Sequence, residues 1–194
     1  MATASDAEKD TGTKLYFEYD GQTYKAVQIG TQIWMAENLN YKAEGSKFYE
    51  NSSDNGAKYG RLYNWETAMK VCPKGWHLPT NEEWDKLFRF VDGDTGSESP
   101  FASKTAGKHL KATSGWKPFD GIENLDTYNF SALPGGYGDS DGSFYNVGRH
   151  GDWWSANEYD SSIAYYRYVD YYNDDANWGY GDECGLSSVR YLQD

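Results

Sequence analysis

The side chains that could do chemistry are three histidines, two cysteines and an abundance of carboxylates and tyrosines. His77, His109 and His150 are scattered, and no H-E-x-x-H or C-x-x-C spacing gathers ligands, so the sequence makes no case for zinc. No G-x-S-x-G elbow or phosphate-cradling glycine loop supplies a nucleophile or a nucleotide site. Glu82-Glu83 and Asp174-Asp175 are the residue types of a glycosidase, but an acidic chain produces such pairs by composition alone. Asp139-Ser-Asp-Gly-Ser143 and Asp92-Gly-Asp-Thr-Gly96 place oxygen ligands at alternate positions, as calcium prefers. Asp139 and Asp141 are therefore calcium candidates, set against the simpler reading that Asp-Gly pairs make turns. No other cofactor is implied.

Residues 159–182 have the composition of a recognition surface: seven of 24 are Tyr, five are Asp, and none is Lys. Tyr supplies contact area at low entropic cost, while Asn, Ser, Gly and Asp add adaptable hydrogen bonds. From Ile163 to Asp170 the residues alternate as a strand would, which predicts one buried face and one turned outward. The ligand candidates are Asn157, Tyr159, Asp160, Tyr171, Tyr172, Asn173, Asp175, Asn177, Trp178 and Tyr180, expected in loops or at strand ends. Such a surface suits a glycan, if two or three rings line a groove, or a protein, if they form a broad patch.

The elements that must carry these residues follow from period and punctuation. Leu15–Tyr19 and Tyr24–Ile29 flank Asp20-Gly21, a hairpin signal. Helices are expected over Asn64–Val71 and Glu82–Val91, the latter opened by a Thr80/Glu83 capping box and carrying an apolar stripe of Trp84, Leu87, Phe88 and Val91. A third, interrupted by Gly107, is expected over Phe101–Lys111. Short strands are expected at Ser143–Val147, Asp152–Ser155, Ile163–Tyr171 and Leu186–Leu192, giving an α+β domain with helices segregated from antiparallel sheet.

A net charge of −12 argues against nucleic acid, whose phosphates need clustered Lys and Arg. The 194 residues suffice for one domain, placed at 14–194, with residues 1–13 expected as a disordered leader or tail holding no export signal. No run of about 18 apolar residues predicts membrane insertion. Cys72 and Cys184 would close a loop of roughly a hundred residues if oxidised, worth about 4 to 5 kcal/mol by loop entropy; two unpaired thiols are the equal alternative.

Several ordered phrases resemble the Fibrobacter succinogenes major paralogous domain: Ile33-Trp-Met-Ala-Glu-Asn-Leu-Asn40, Lys58-Tyr-Gly-Arg-Leu-Tyr-Asn-Trp65, Cys72-Pro-Lys-Gly-Trp-His-Leu-Pro79, Ser131-Ala-Leu-Pro-Gly-Gly-Tyr137 and Ser188-Val-Arg190. That family is similar in turn to the formylglycine-generating sulfatase-modifying enzymes and to C-type-lectin-like domains. The resemblance implies a C-type-lectin-like fold with short antiparallel sheets and two to three helices, in which Trp154, Ser155 and Ala164–Tyr168 belong to the scaffold. The related oxidases hold copper through a closely spaced C-terminal cysteine pair; this chain has only Cys184 there, so that activity is expected to be absent. The family often carries cysteines where Phe48, Gly56 and Tyr191 stand, which implies a displaced partner for Cys72.

The implied function is non-catalytic binding, of adhesin or receptor type, through a C-terminal surface that some relatives vary by retroelement-directed diversification. The partner would be a surface protein or a glycan, and the setting extracellular, on a cell surface or on a virion. A module for cell-wall polysaccharide or a structural display module is the alternative, with an oxidase-like or glycosidase enzyme behind both.

Overall fold

The computed structural model describes residues 12–93 and 102–194. Strands β1 (Lys14–Tyr19) and β2 (Gln22–Ile29) form the expected hairpin. Its two turn residues, Asp20 and Gly21, both take positive φ (49° and 73°), the backbone that matches strand twist in a two-residue turn. Strand β3 (Gln32–Met35) extends the hairpin and pairs with β12 (Leu192–Gln193), which pairs in turn with β6 (Trp76–His77). The result is a five-stranded sheet of order β1-β2-β3-β12-β6, closed by the last residues of the chain.

Two small ribbons, β4 (Ser46–Lys47) with β5 (Leu62–Tyr63) and β7 (Tyr137–Gly138) with β8 (Phe144–Tyr145), frame the middle of the molecule. Strands β9 (His150–Asp160), β10 (Ile163–Asp170) and β11 (Ala176–Asp182) make a separate antiparallel sheet with β10 at its centre. Helices α1 (Ser53–Tyr59), α2 (Trp65–Lys70), α3 (Asn81–Asp92) and α4 (Ala106–Leu110) pack beside these sheets. The architecture is therefore mixed α and β with several short antiparallel sheets. Among the described residues no helix is long and apolar enough to cross a membrane.

The α3 helix begins as its sequence dictates. Thr80 Oγ1 accepts from Glu83 N–H, Glu83 Oε2 accepts from Thr80 N–H at 2.8 Å, and Gly93 ends the helix at φ 71°. Trp84, Leu87, Phe88 and Val91 are all buried in the main core with Trp34, Phe130 and Trp153. Two buried arginines tie these segments together. The Arg190 guanidinium donates to Asn38 Oδ1 and to the carbonyls of Met35, Phe130 and Ser131. Arg167 pairs with Asp85 of α3 at 2.8 Å. Buried charges persist only when paired and bonded in this way.

Several expectations need correction. Only Ala106–Leu110 of the third helix is helical; Phe101 lies outside the described residues. Gly107 does not interrupt it but lets it close on the Asp175 carbonyl, where a β-carbon would overlap. Leu186–Leu192 is not a strand: Leu186, Ser187 and Ser188 make isolated bridges to three different segments, and only Leu192 enters β12. Gly12 and Thr13, expected in the tail, bond to Gln28 of β2. Of the two alternatives open for Cys72 and Cys184, the structure has the pair of free thiols. Cys72 Sγ donates to Trp76 O at 2.6 Å, and burial, with the Asp194 charge, pushes it up to about 12, while Cys184 is exposed.

Candidate functional site

Antiparallel pairing sorts the β9–β10–β11 sheet into two faces with different chemistry. On the first, Tyr165 lies opposite Tyr180 and Arg167 opposite Trp178. Toward the interior this face is core: Trp153, Val169 and Ala176 join the main cluster. Toward the end near Asp160 and Asp182 it emerges into solvent as an aromatic platform. The Tyr159 and Tyr180 rings stack in parallel, 4.4 Å apart and 9° from coplanar, each about half exposed (51% and 49%). Tyr165 meets Tyr159 edge-on at 5.5 Å, and Trp178 lies 5.8 Å from Tyr165. The recess between Asn81, Tyr165, Arg167 and Trp178 is only about 50 Å³. Four carboxylates crowd this end. Burial first, then the charges of Glu158, Asp160 and Asp182, raise the Glu183 pKa.

On the second face, His150, Asp152 and Trp154 of β9 oppose Asp170, Tyr168 and Tyr166 of β10. Of these, His150, Asp152, Trp154 and Tyr166 floor a cleft of about 280 Å³ whose rim includes Tyr137, Asp139 and Asp182. His150 Nδ1 lies 2.8 Å from Asp170 Oδ1, and its ring stacks on Tyr168 at 5.2 Å. Burial alone would lower the His150 pKa, but the bond to Asp170 and the charges of Asp152 and Asp170 outweigh it and the pKa is raised. Asp152 is buried (3% exposed), and desolvation pushes its carboxyl up to about 6 against the pull of His150 and Ser187. Asp152 Oδ2 accepts from Ser187 Oγ at 3.0 Å, while Oδ1 has no partner among the described residues.

The ligand candidates divide among several places. Tyr159, Trp178 and Tyr180 meet on the platform, joined by Tyr165, which had been assigned to the scaffold. None of the six on β9 and β11 is in a loop: Tyr159 and Asp160 stand at the end of β9 and Asn177 at the start of β11, at strand ends, while Asn157, Trp178 and Tyr180 lie further inside the strands. Asn157 serves the scaffold: its Oδ1 accepts from Asn81 N–H at 2.7 Å at the start of α3. Asp160 Oδ1 closes a turn by accepting from Ser162 N–H at 3.0 Å. Asn177 faces Tyr168 across the ladder.

Tyr171 and Tyr172 sit at the far end of β10 with Phe119 and form a separate aromatic group. Asn173 and Asp175 belong to the turn beyond them, which Lys111 holds. The fully buried Lys111 ammonium donates to Asp170 O at 2.9 Å and Asn173 O at 2.7 Å, and burial lowers its pKa to about 8. Nothing in the local sequence marks Lys111 as buried.

The calcium candidates serve a turn. Asp141 Oδ1 accepts from Ser143 N–H at 2.8 Å, and Asp139 N–H donates to Ser143 O. Among the described residues no three His, Cys, Asp or Glu side chains are placed to hold a metal ion. The second calcium candidate loop runs, beyond Gly93, outside the described residues, and Asp92 accepts from Thr105 Oγ1. Sequence reasoning missed the cleft, although its signal was present: His150-x-Asp152-x-Trp154 and Tyr166-x-Tyr168-x-Asp170 each put chemistry on alternate residues, and so on one face of a strand.

The profile of the Fibrobacter succinogenes major domain matches residues 27–193, and the chain belongs to that family. No curated protein and no solved structure matches the chain.

Proposed function

We propose that this member of the family is a non-catalytic binding domain of C-type-lectin-like fold that docks a protein partner on the platform formed by Tyr159, Tyr165, Trp178 and Tyr180. The observation that carries the reading is the exposed, parallel Tyr159–Tyr180 stack at the solvent end of an otherwise packed sheet face. Large rings held in place by a sheet offer contact area with little entropy left to lose. A lectin-like fold is supported by the pairing of β12 with β3, which joins it to the N-terminal hairpin sheet.

A protein suits this surface better than a glycan. The two tyrosines cover one another's faces, and the recess beside them, at about 50 Å³, falls far below the roughly 300 Å³ typical of small-ligand sites. The bordering Glu158, Asp160, Asp182 and Glu183 favour a partner rich in Lys and Arg. The exposed platform tyrosines are also where diversification would alter binding without touching the core. Display outside the cell or on a virion follows from this reading, because an adhesin or receptor must meet its partner there.

The test is a binding screen of the purified chain against arrays of surface proteins and glycans, with the double variant Tyr159→Ser/Tyr180→Ser as control. The reading predicts protein ligands whose binding weakens with salt and falls at least tenfold in the variant at an unchanged melting temperature. Protein binding that the variant retains, or ligands confined to the glycan array, would overturn it.

A further inference from the structure

We infer that the cleft on the opposite face of the β9–β10–β11 sheet is a second binding site, for an organic cation: a primary ammonium or guanidinium group such as a lysine or arginine side chain presents. This goes beyond the platform reading and stands on different residues.

The cleft is large enough for a small ligand, at about 280 Å³, and three carboxylates line it beside His150. Asp139 and Asp182 stand at the rim and Asp152 at the floor, and among the described residues no Lys or Arg lines it. With His150 neutral, the three carboxylates repel an anion and attract a cation. The walls include Tyr137, Trp154 and Tyr166, whose ring faces attract a cation as water is displaced. A metal ion is not the fitting occupant, because the described carboxylates and His150 do not converge as metal ligands. An extended cation that spans carboxylate and ring needs no such convergence.

The floor supplies the decisive observation. Asp152 is buried among these groups, and among the described residues its Oδ1 has no hydrogen-bond partner. A buried carboxylate oxygen left unpaired is costly, and a positively charged N–H donor is the partner that offsets most of that cost. Small residues keep the space open: a β-carbon at Gly181 would meet only Tyr166 Cε1, at 3.5 Å, so the backbone tolerates a side chain there that would fill the cleft.

The groups facing Asp152 are His150 on its own strand, Tyr166, Tyr168 and Asp170 on β10, Tyr137 and Asp139 from β7 and its loop, and Asp182 from β11. Protonating His150 and Asp152 removes the attraction for a cation. Binding should therefore weaken at acid pH, as Asp152 takes up its proton near pH 6 and His150 becomes charged.

The experiment is a heteronuclear NMR titration of the full chain with Nα-acetyl-lysine methylamide, its arginine counterpart, the neutral norleucine analogue and methyl glucoside. The inference predicts saturable shifts at Gly138, Gly181 and the Trp154 indole with the two basic probes only. Affinity should be at least tenfold weaker in Asp152→Asn, weaker still in Gly181→Leu, and at least fivefold weaker at pH 5 than at pH 7.5. If Asp152→Asn fails to fold, Gly181→Leu carries the test. Equal binding of norleucine, methyl glucoside as the preferred ligand, basic probes bound unchanged by Gly181→Leu, or no saturable shift at all would each overturn it.

Discussion

Asp152 is held where its charge is a burden. Its folded pKa of about 6 lies above the roughly 3.9 of an unfolded aspartate, so the folded chain binds an extra proton between those values. Stability therefore falls as pH rises from 4 through 6, and the loss is complete above that, at about 2 to 3 kcal/mol. The raised His150 pKa acts in the same direction, since its contribution is present below the unfolded value and is lost as pH rises through the folded one. Asp152→Asn keeps an acceptor for Ser187 and removes the charge. Thermal melts should show the variant more stable than the parent at pH 8, with the advantage gone by pH 4; a variant less stable at both values would contradict the assignment.

Among single residues, legibility followed locality. Thr80 and Glu83 could be read as a capping box because the bond spans three residues. Asp152 could not be read as unpaired, nor Lys111 as buried, because their surroundings come from segments 35 and 59 residues away.

At the scale of elements, the sheet that carries both sites was recognised only in part. The Ile163–Asp170 strand is legible from its alternation, but β11 is not, because Asn177, Gly179 and Gly181 are poor strand formers. Tertiary packing overrides that preference. Gly179 is needed there, since a β-carbon would come within 2.6 Å of the Tyr166 ring that lies across it. The Leu186–Leu192 run misled in the opposite sense. Its apolar residues are buried as a strand's would be, yet they bridge several segments in turn.

Helix α4 shows how tightly the second sheet is positioned. Gly107 is in contact with the Asp175 carbonyl, just before β11, and Lys108 N–H donates to Asp174 O at 3.1 Å. Gly107→Ala, ordinarily favourable in a helix, should instead destabilise the chain by about 2 kcal/mol and lower the melting temperature by roughly 4 to 8 °C. An unchanged or higher melting temperature would show that α4 and the Asp174–Asp175 turn are free to separate.

For the whole molecule, the ordered phrases from Ile33 to Arg190 were sufficient to place the chain in its family, and they coincide with the packed scaffold: Trp34, Asn38, Leu78, Trp154 and Arg190 are all buried. The sites are less legible, because they depend on which side of a sheet each residue faces. Of the tyrosines singled out near the C-terminus, Tyr159 and Tyr180 share the platform while Tyr171 and Tyr172 lie with Phe119 at the other end of β10.

Oxidative footprinting of the chain, alone and with a captured protein ligand, tests the central claim most directly, because other exposed tyrosines serve as internal controls. Tyr16, Tyr145 and Tyr172 are exposed elsewhere on the surface, at 63%, 40% and 49%. The account predicts strong protection at Tyr159 and Tyr180, with labelling of Tyr16, Tyr145 and Tyr172 unchanged. Protection centred on any of those three, with Tyr159 and Tyr180 still labelled at the free rate, would contradict it.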